Sequence, residues 1–164
     1  MKRPVTVIMI FSFVLICSAS GAEKLPRVLG ATLGGPINKI ENEYARAGVQ
    51  PLHRHAGSVT YQNLLDPFKD AHVISVSYHH YLGNLYEIVI VYDSKNIFLE
   101  LFLKLNPEYS DHQVVTGASA VVKGEASWEK GNTSVLLRMI RDGGDGSTIL
   151  TYRYKPTERT EIGF

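Results

Sequence analysis

Six histidines are the residues best equipped for chemistry in this 164-residue chain. His53-Arg54-His55 and His79-His80 hold four of them, and His72 and Glu87 stand nearby as further ligands or proton carriers. On a strand, His53 and His55 point to one side, whereas the neighbours His79 and His80 point to opposite sides. At most one of the second pair joins a shared centre. Zinc held without thiolates needs an all-histidine or histidine-carboxylate set, and the same groups could move protons in a hydrolase. His53, His55, His80 and Glu87 are therefore the candidate set for a metal-dependent or histidine-dependent hydrolase. No H-E-x-x-H and no G-x-S-x-G is present. Gly30 to Gly35, GATLGG, matches neither a dinucleotide fingerprint nor a phosphate loop and reads as a tight strand-to-helix turn. Asp142 and Asp145 in DGGDG lack the spacing of a calcium loop. The reading preferred here is a protein without catalysis, metal or cofactor, with the hydrolase as the alternative.

The elements around these residues favour that reading. Val73–Leu82 and Leu85–Tyr92 are rich in strand-forming residues. Gly83-Asn84 between them predicts a two-residue type II′ turn. That turn sets His80 opposite Glu87, Tyr78 opposite Val89 and Tyr81 opposite Tyr86. A cross-strand His–Glu pair contributes about 0.2–1 kcal/mol and requires no reaction. Upstream, Ile37, Ile40 and Tyr44 make one apolar helix face over about residues 36–47, with Pro36 at the start and Gly48 as the stop. Residues 49–72 read as loop, with a short strand near Val59–Leu64.

The segment Asn96–Leu105 alternates like a strand and also carries a helical stripe, Phe98, Leu101, Phe102 and Leu105. Ser94 as a cap, the Leu/Glu/Lys content and Pro107 just beyond favour helix. After Gly117 the pattern is β, with turns at Lys130-Gly131-Asn132 and Gly143–Gly146. Pairing Asp142 with Ser147 sets Val135, Leu137 and Met139 opposite Tyr154, Tyr152 and Leu150, all on one face. Ser134, Arg138, Thr151, Arg153 and Lys155 form the other, basic face. Trp128, the single tryptophan, is a core residue or a lid on a turn.

The predicted class is α+β: short helices packed on one face of an antiparallel sheet, arranged as helix, hairpin, helix, hairpin. Two tandem units, 27–93 and 94–156, fit that order, with 157–164 as a flexible tail. The chain holds nine tyrosines, several of them on strands. Tyrosine offers a large contact area at low entropy cost. Tyr81, Tyr86, Arg138 and Arg153 are the candidate contacts of an open sheet face.

Residues 1–22 read as a secretory signal: Lys2 and Arg3, an apolar run from Val5 to Ile16, then Ser20-Gly21-Ala22. The run is too short to span a membrane. Cleavage after Ala22 leaves one domain over 23–164 and removes Cys17, the only cysteine, so the mature chain has neither disulfides nor a thiolate. Lipidation of Cys17 is the alternative. Without Lys2 and Arg3 the charged residues are 17 − 2 = 15 basic and 16 acidic, which gives nothing to drive binding to nucleic acid.

The stretch LGATLGGPINKIENEYARAG, the hairpin YLGNLYEIVIVY, and WEKGNT followed by a hydrophobic strand and LTYRY together resemble the tandem α/β layout of the outer-membrane assembly lipoproteins and of β-lactamase inhibitory protein. The likeness covers most of the mature chain as architecture and carries over no functional residue. Ile16 stands where the lipoproteins have a small residue before the lipidated cysteine, and the disulfides of the inhibitory protein have no counterpart. The resemblance implies a small periplasmic or secreted envelope protein that binds another protein.

Overall fold

The computed structural model describes residues 27–62, 64, 72–109, 112–116, 122–140 and 146–155. The signal segment with Cys17, the residues Asp142 and Asp145, and the 157–164 tail lie outside them.

The described chain is α+β and dominated by an antiparallel sheet. A two-residue pair, β1 (Arg27–Val28) and β2 (Ala31–Thr32), leads into α1 (Ile37–Arg46). Then follow β3 (His53–His55), β4 (Ser58–Tyr61), β5 (Val73–Tyr81) and β6 (Asn84–Tyr92). The second half repeats that order with α2 (Ile97–Leu105), β7 (His112–Thr116), β8 (Val122–Lys130), β9 (Thr133–Ile140) and β10 (Ser147–Tyr154). Eight strands form one sheet in the order β3-β4-β5-β6-β10-β9-β8-β7. Each half is thus a meander, and the two meet where β6 pairs with β10.

α1 forms where its apolar spacing requires, and Ile37, Ile40 and Tyr44 are its buried residues. Pro36 caps the helix from an extended conformation rather than opening it. At the other end Gly48, at φ 75°, closes a Schellman turn: its N–H donates to Ala45 O and the Val49 N–H donates to Tyr44 O. α2 resolves the ambiguous segment as helix. The Ser94 hydroxyl accepts from the Asn96 N–H at 3.1 Å, and the buried Thr148 hydroxyl donates to Ser94 O at 2.9 Å, fixing the helix entrance to β10.

The β5–β6 hairpin departs from expectation. Its tip is Leu82-Gly83, with φ 49° and 82°, the two positive values of a type I′ turn, and not Gly83-Asn84. Leucine is a costly choice there, so the sequence did not suggest it. The tip is held by α1 and the turn before it: the Ile37 N–H donates to Gly83 O at 2.8 Å, the Leu85 N–H donates to Gly35 O at 2.8 Å, and the Gly34 N–H donates to Leu85 O at 2.7 Å. A bulge then shifts the register between His79 and His80. The outcome is His80 opposite Leu85, His79 opposite Glu87, and Tyr78 opposite Ile88. The predicted pairs His80–Glu87, Tyr78–Val89 and Tyr81–Tyr86 do not form; Tyr81 pairs with Asn84.

In the β9–β10 hairpin the register differs by two residues from the expected one. Val135 meets Tyr152, Leu137 meets Leu150 and Met139 meets Thr148. A shift of two keeps every side chain on its face, so the predicted apolar side is the one that faces the core. Two strands lay outside the sequence pattern. β3 is exposed at all three residues and shows no apolar alternation, and β7 is short.

The core follows from these registers. Val59, Tyr78, Ile88, Tyr152, Val135 and Trp128 are successive cross-strand neighbours, as are Tyr61, Val76, Ile90, Leu150, Leu137 and Ala126. Both rows lie on one side, and all of these residues except the half-buried Tyr152 are buried. Fully burying one Val, Leu or Ile stabilises the fold by about 1.5–3 kcal/mol. Tyr44 of α1 stacks on Tyr61 with ring centroids 3.8 Å apart and meets Tyr78 edge-on at 6.4 Å. Phe102 of α2 lies 5.7 Å from Trp128, which is fully buried and thus a core residue.

Burial pushes the phenols of Tyr44, Tyr61 and Tyr78 above the ordinary value near 10, Tyr78 furthest; nearby carboxylates add to the rise, and the neighbouring phenols Tyr44 and Tyr61 raise Tyr78 further. The folded protein keeps these groups protonated while the unfolded chain ionises them near pH 10. Their stabilising contribution is therefore complete below that pH and is lost as pH rises above it. Urea unfolding between about pH 8 and 11.5 is expected to show a falling midpoint above pH 10, and a shallower fall in Tyr78→Phe.

Candidate functional site

The second side of the sheet is the candidate site. Register alone fixes one row across seven strands: His55, Ser58, His79, Glu87, Arg153, Ser134 and Glu129. The next row is His53, Thr60, Ser77, Val89, Thr151, Leu136 and Ser127. Beyond it come Ser75, Val91, Ile149, Arg138 and Glu125. None of these residues is buried. The site is a broad face of hydroxyls, ion pairs and β-branched side chains, uncovered among the described residues.

The predicted contacts map onto this face unequally. Arg153 donates to Glu87 Oε1 through Nε at 2.9 Å and through Nη2 at 2.5 Å. Arg138 Nε donates to Glu125 Oε2 at 2.7 Å on the neighbouring strand. Lys155 pairs with Glu129 at 2.8 Å, and that hydrogen bond and charge hold the Glu129 carboxyl below its ordinary range. The face expected to be basic is therefore close to neutral locally: Arg138 and Arg153 each share their charge with a carboxylate on the adjacent strand, and Lys155, just past β10, reaches across β9 to Glu129 on β8. Tyr86 is exposed beside the bulge, its ring 6.3 Å from His79. Tyr81 is exposed at the hairpin end.

The alternative set is not brought together. His53 and His55 are exposed on the edge strand β3, on the uncovered side. His80 pairs with the buried Leu85 and so shares the covered side, while Glu87 lies on the uncovered side and is engaged by Arg153. Among the described residues no group of three or more histidines and carboxylates is placed to hold a metal ion. His72 lies 3.4 Å from Asp93, away from the others in the fold. Arg54, between the two edge histidines, turns to the other side and reaches Glu41 on α1 at 2.5 Å.

Sequence reasoning missed the acidic partners Glu125 and Glu129, and it missed Val89, Val91, Leu136 and Ile149. Strand alternation would have placed the apolar four on the open side. Their signal was obscured because the covered positions beside them are apolar too, so the strands read as continuous hydrophobic runs. The carboxylates become partners only through pairing between strands.

Exposed ion pairs of this kind contribute about 0–1 kcal/mol. Arg138→Ala is expected to lower the melting temperature by at most about 4 °C, as is Arg153→Ala, read by calorimetry. Among the described residues no helix is long and apolar enough to cross a membrane. The chain matches no protein-family model, and comparison with curated proteins and with solved structures gives no match either.

Proposed function

We propose that the protein is a non-catalytic binding module of the cell envelope, secreted or periplasmic, and that its uncovered sheet face receives another protein. One observation carries this reading. Among the described residues an eight-stranded sheet is covered on one side only, and the other side presents Tyr86, Arg138 and Arg153 with no gathered set of three histidines and carboxylates. A flat face of half-exposed Val, Leu and Ile bordered by ion pairs suits a partner that removes water from the middle and keeps polar contacts at the rim. Arginine and tyrosine are the side chains that contribute most when buried at such interfaces.

The proposal extends to architecture. Two helix-and-meander units lie in tandem, each helix packed against the covered side. Ile37 and Ile97 begin the helices, and Val73 and Thr133 begin the third strands of the meanders; both intervals are 60 residues (97 − 37, 133 − 73). A broad sheet built from two such units supplies the area that a standard interface needs, about 800 Å² per partner.

Affinity capture from envelope extract with the exported protein tests the reading. The expected result is a stoichiometric protein partner whose binding weakens about tenfold or more in Arg138→Glu and in Arg153→Glu, where a like charge replaces a paired cation. Turnover of a small substrate with no retained protein would remove the proposal. Sequencing the N-terminus of the exported chain tests the location. Glu23 is expected as the first residue; a retained signal or a lipidated Cys17 would replace that expectation.

A further inference from the structure

α2 carries more apolar surface than the fold covers. Seven of its nine residues, IFLELFLKL, are apolar, a composition typical of a helix surrounded by protein on all sides. Only Ile97 and Leu105 are buried, while Leu99 is 61% and Leu103 63% exposed. Phe98 and Phe102 explain the inner side. Phe98 lies over Gly124, where an added methyl would meet its ring at 3.3 Å, and Phe102 lies on Trp128. Among the described residues nothing covers the outer side, where Leu99 and Leu103 stack one turn apart.

Charge identifies what covers them. Glu100 and Lys104 are also one turn apart and run along a single flank of the leucine stripe. Among the described residues neither enters an ion pair. We propose that the outward stripe of α2 is a self-association surface and that its occupant is a second copy of this chain, bound with its α2 antiparallel about a twofold axis. A twofold relation brings the same flank of both helices together in opposite directions. Glu100 then meets the partner subunit's Lys104, and Lys104 meets the partner subunit's Glu100. In a parallel pair the flanks that meet are opposite ones, so Glu100 and Lys104 would face the Phe98 and Phe102 flank and stay unpaired. Their charges cancel, so this flank offers an anionic membrane no net attraction. Leu99 and Leu103 cross over the partner's equivalent leucines at the centre.

This surface lies on the side of α2 away from the sheet, so self-association leaves the uncovered sheet face free. Two leucines with their neighbours offer a few hundred Å², well short of the roughly 800 Å² per partner of a standard stable interface. The dimer is accordingly weak and in rapid exchange with monomer.

Sedimentation velocity on the exported protein, from about 5 to 500 μM, tests the inference. The expected result is a reversible monomer-to-dimer shift that disappears in Leu99→Glu. Lys104→Glu alone is expected to weaken association about tenfold or more, because Glu then faces Glu. The double reversal Glu100→Lys with Lys104→Glu restores it, since the antiparallel pairs are re-formed with signs exchanged. All three substituted positions are exposed, and circular dichroism checks that each variant is folded. If Leu99→Glu were unfolded, the two charge variants would decide the matter alone. Monomer at every concentration overturns the proposal. So does a dimer indifferent to these changes, or a double reversal no better than the single one. A monomer that binds phosphatidylglycerol vesicles through Leu99 and Leu103 overturns it in favour of a membrane surface.

Discussion

The pairing of β6 with β10 is the contact on which the rest of the structure depends. Six consecutive residue pairs, from Thr148–Tyr92 to Arg153–Glu87, join strands from the two halves of the chain. Closing so long a loop carries an entropy cost that local hairpins avoid. The pairing offsets that cost by turning two exposed strand edges into the centre of one sheet. Ile88 and Ile90 on one side meet Tyr152 and Leu150 on the other. Unpaired, each meander would present a flat apolar edge ready to join with another chain.

That junction also makes the core continuous. The tyrosine cluster under α1 and the tryptophan cluster under α2 are far apart in the sheet, yet both rest on the same rows of cross-strand neighbours. The polar side inherits the same order. Glu87 comes from β6 and Arg153 from β10, so the best-formed ion pair of the open face exists only because the halves are joined. Core and candidate site are thus two sides of one registration.

Tertiary pairing also decided which of the candidate groups stay apart. Near one another in sequence, His80 and Glu87 look like a reactive pair. The bulge in the β5–β6 hairpin sends them to opposite sides of the sheet and gives Glu87 to Arg153. His53 and His55 remain at the edge. What the fold collects on the open side is hydroxyls such as Thr60 and Ser77, whose oxygens are 2.8 Å apart, half-exposed aliphatics, and charges balanced in pairs.

Much of the fold was legible locally. The spacing of Ile37, Ile40 and Tyr44 determined α1 and its buried face, because helix periodicity is a property of neighbouring residues. The Leu, Glu and Lys content favoured helix for α2 against its alternating pattern, although the helix begins from Asn96 and Ser94 accepts only from the Asn96 N–H before it. Alternation separated Val135, Leu137, Leu150 and Tyr152 from Ser134, Arg138, Thr151 and Arg153, and an error of two residues in register left that division intact. Only the tertiary structure decided the β5–β6 register, because its tip and bulge carry backbone bonds to the start of α1 and to Gly57 in the β3–β4 turn that no local pattern encodes. It alone decided that the polar segment His53–His55 is a strand, since an exposed edge is held by its neighbour's backbone and not by its own side chains. The partners of Arg138 and Arg153 belong to the same class: a carboxylate one strand away is adjacent in space only after the sheet has formed.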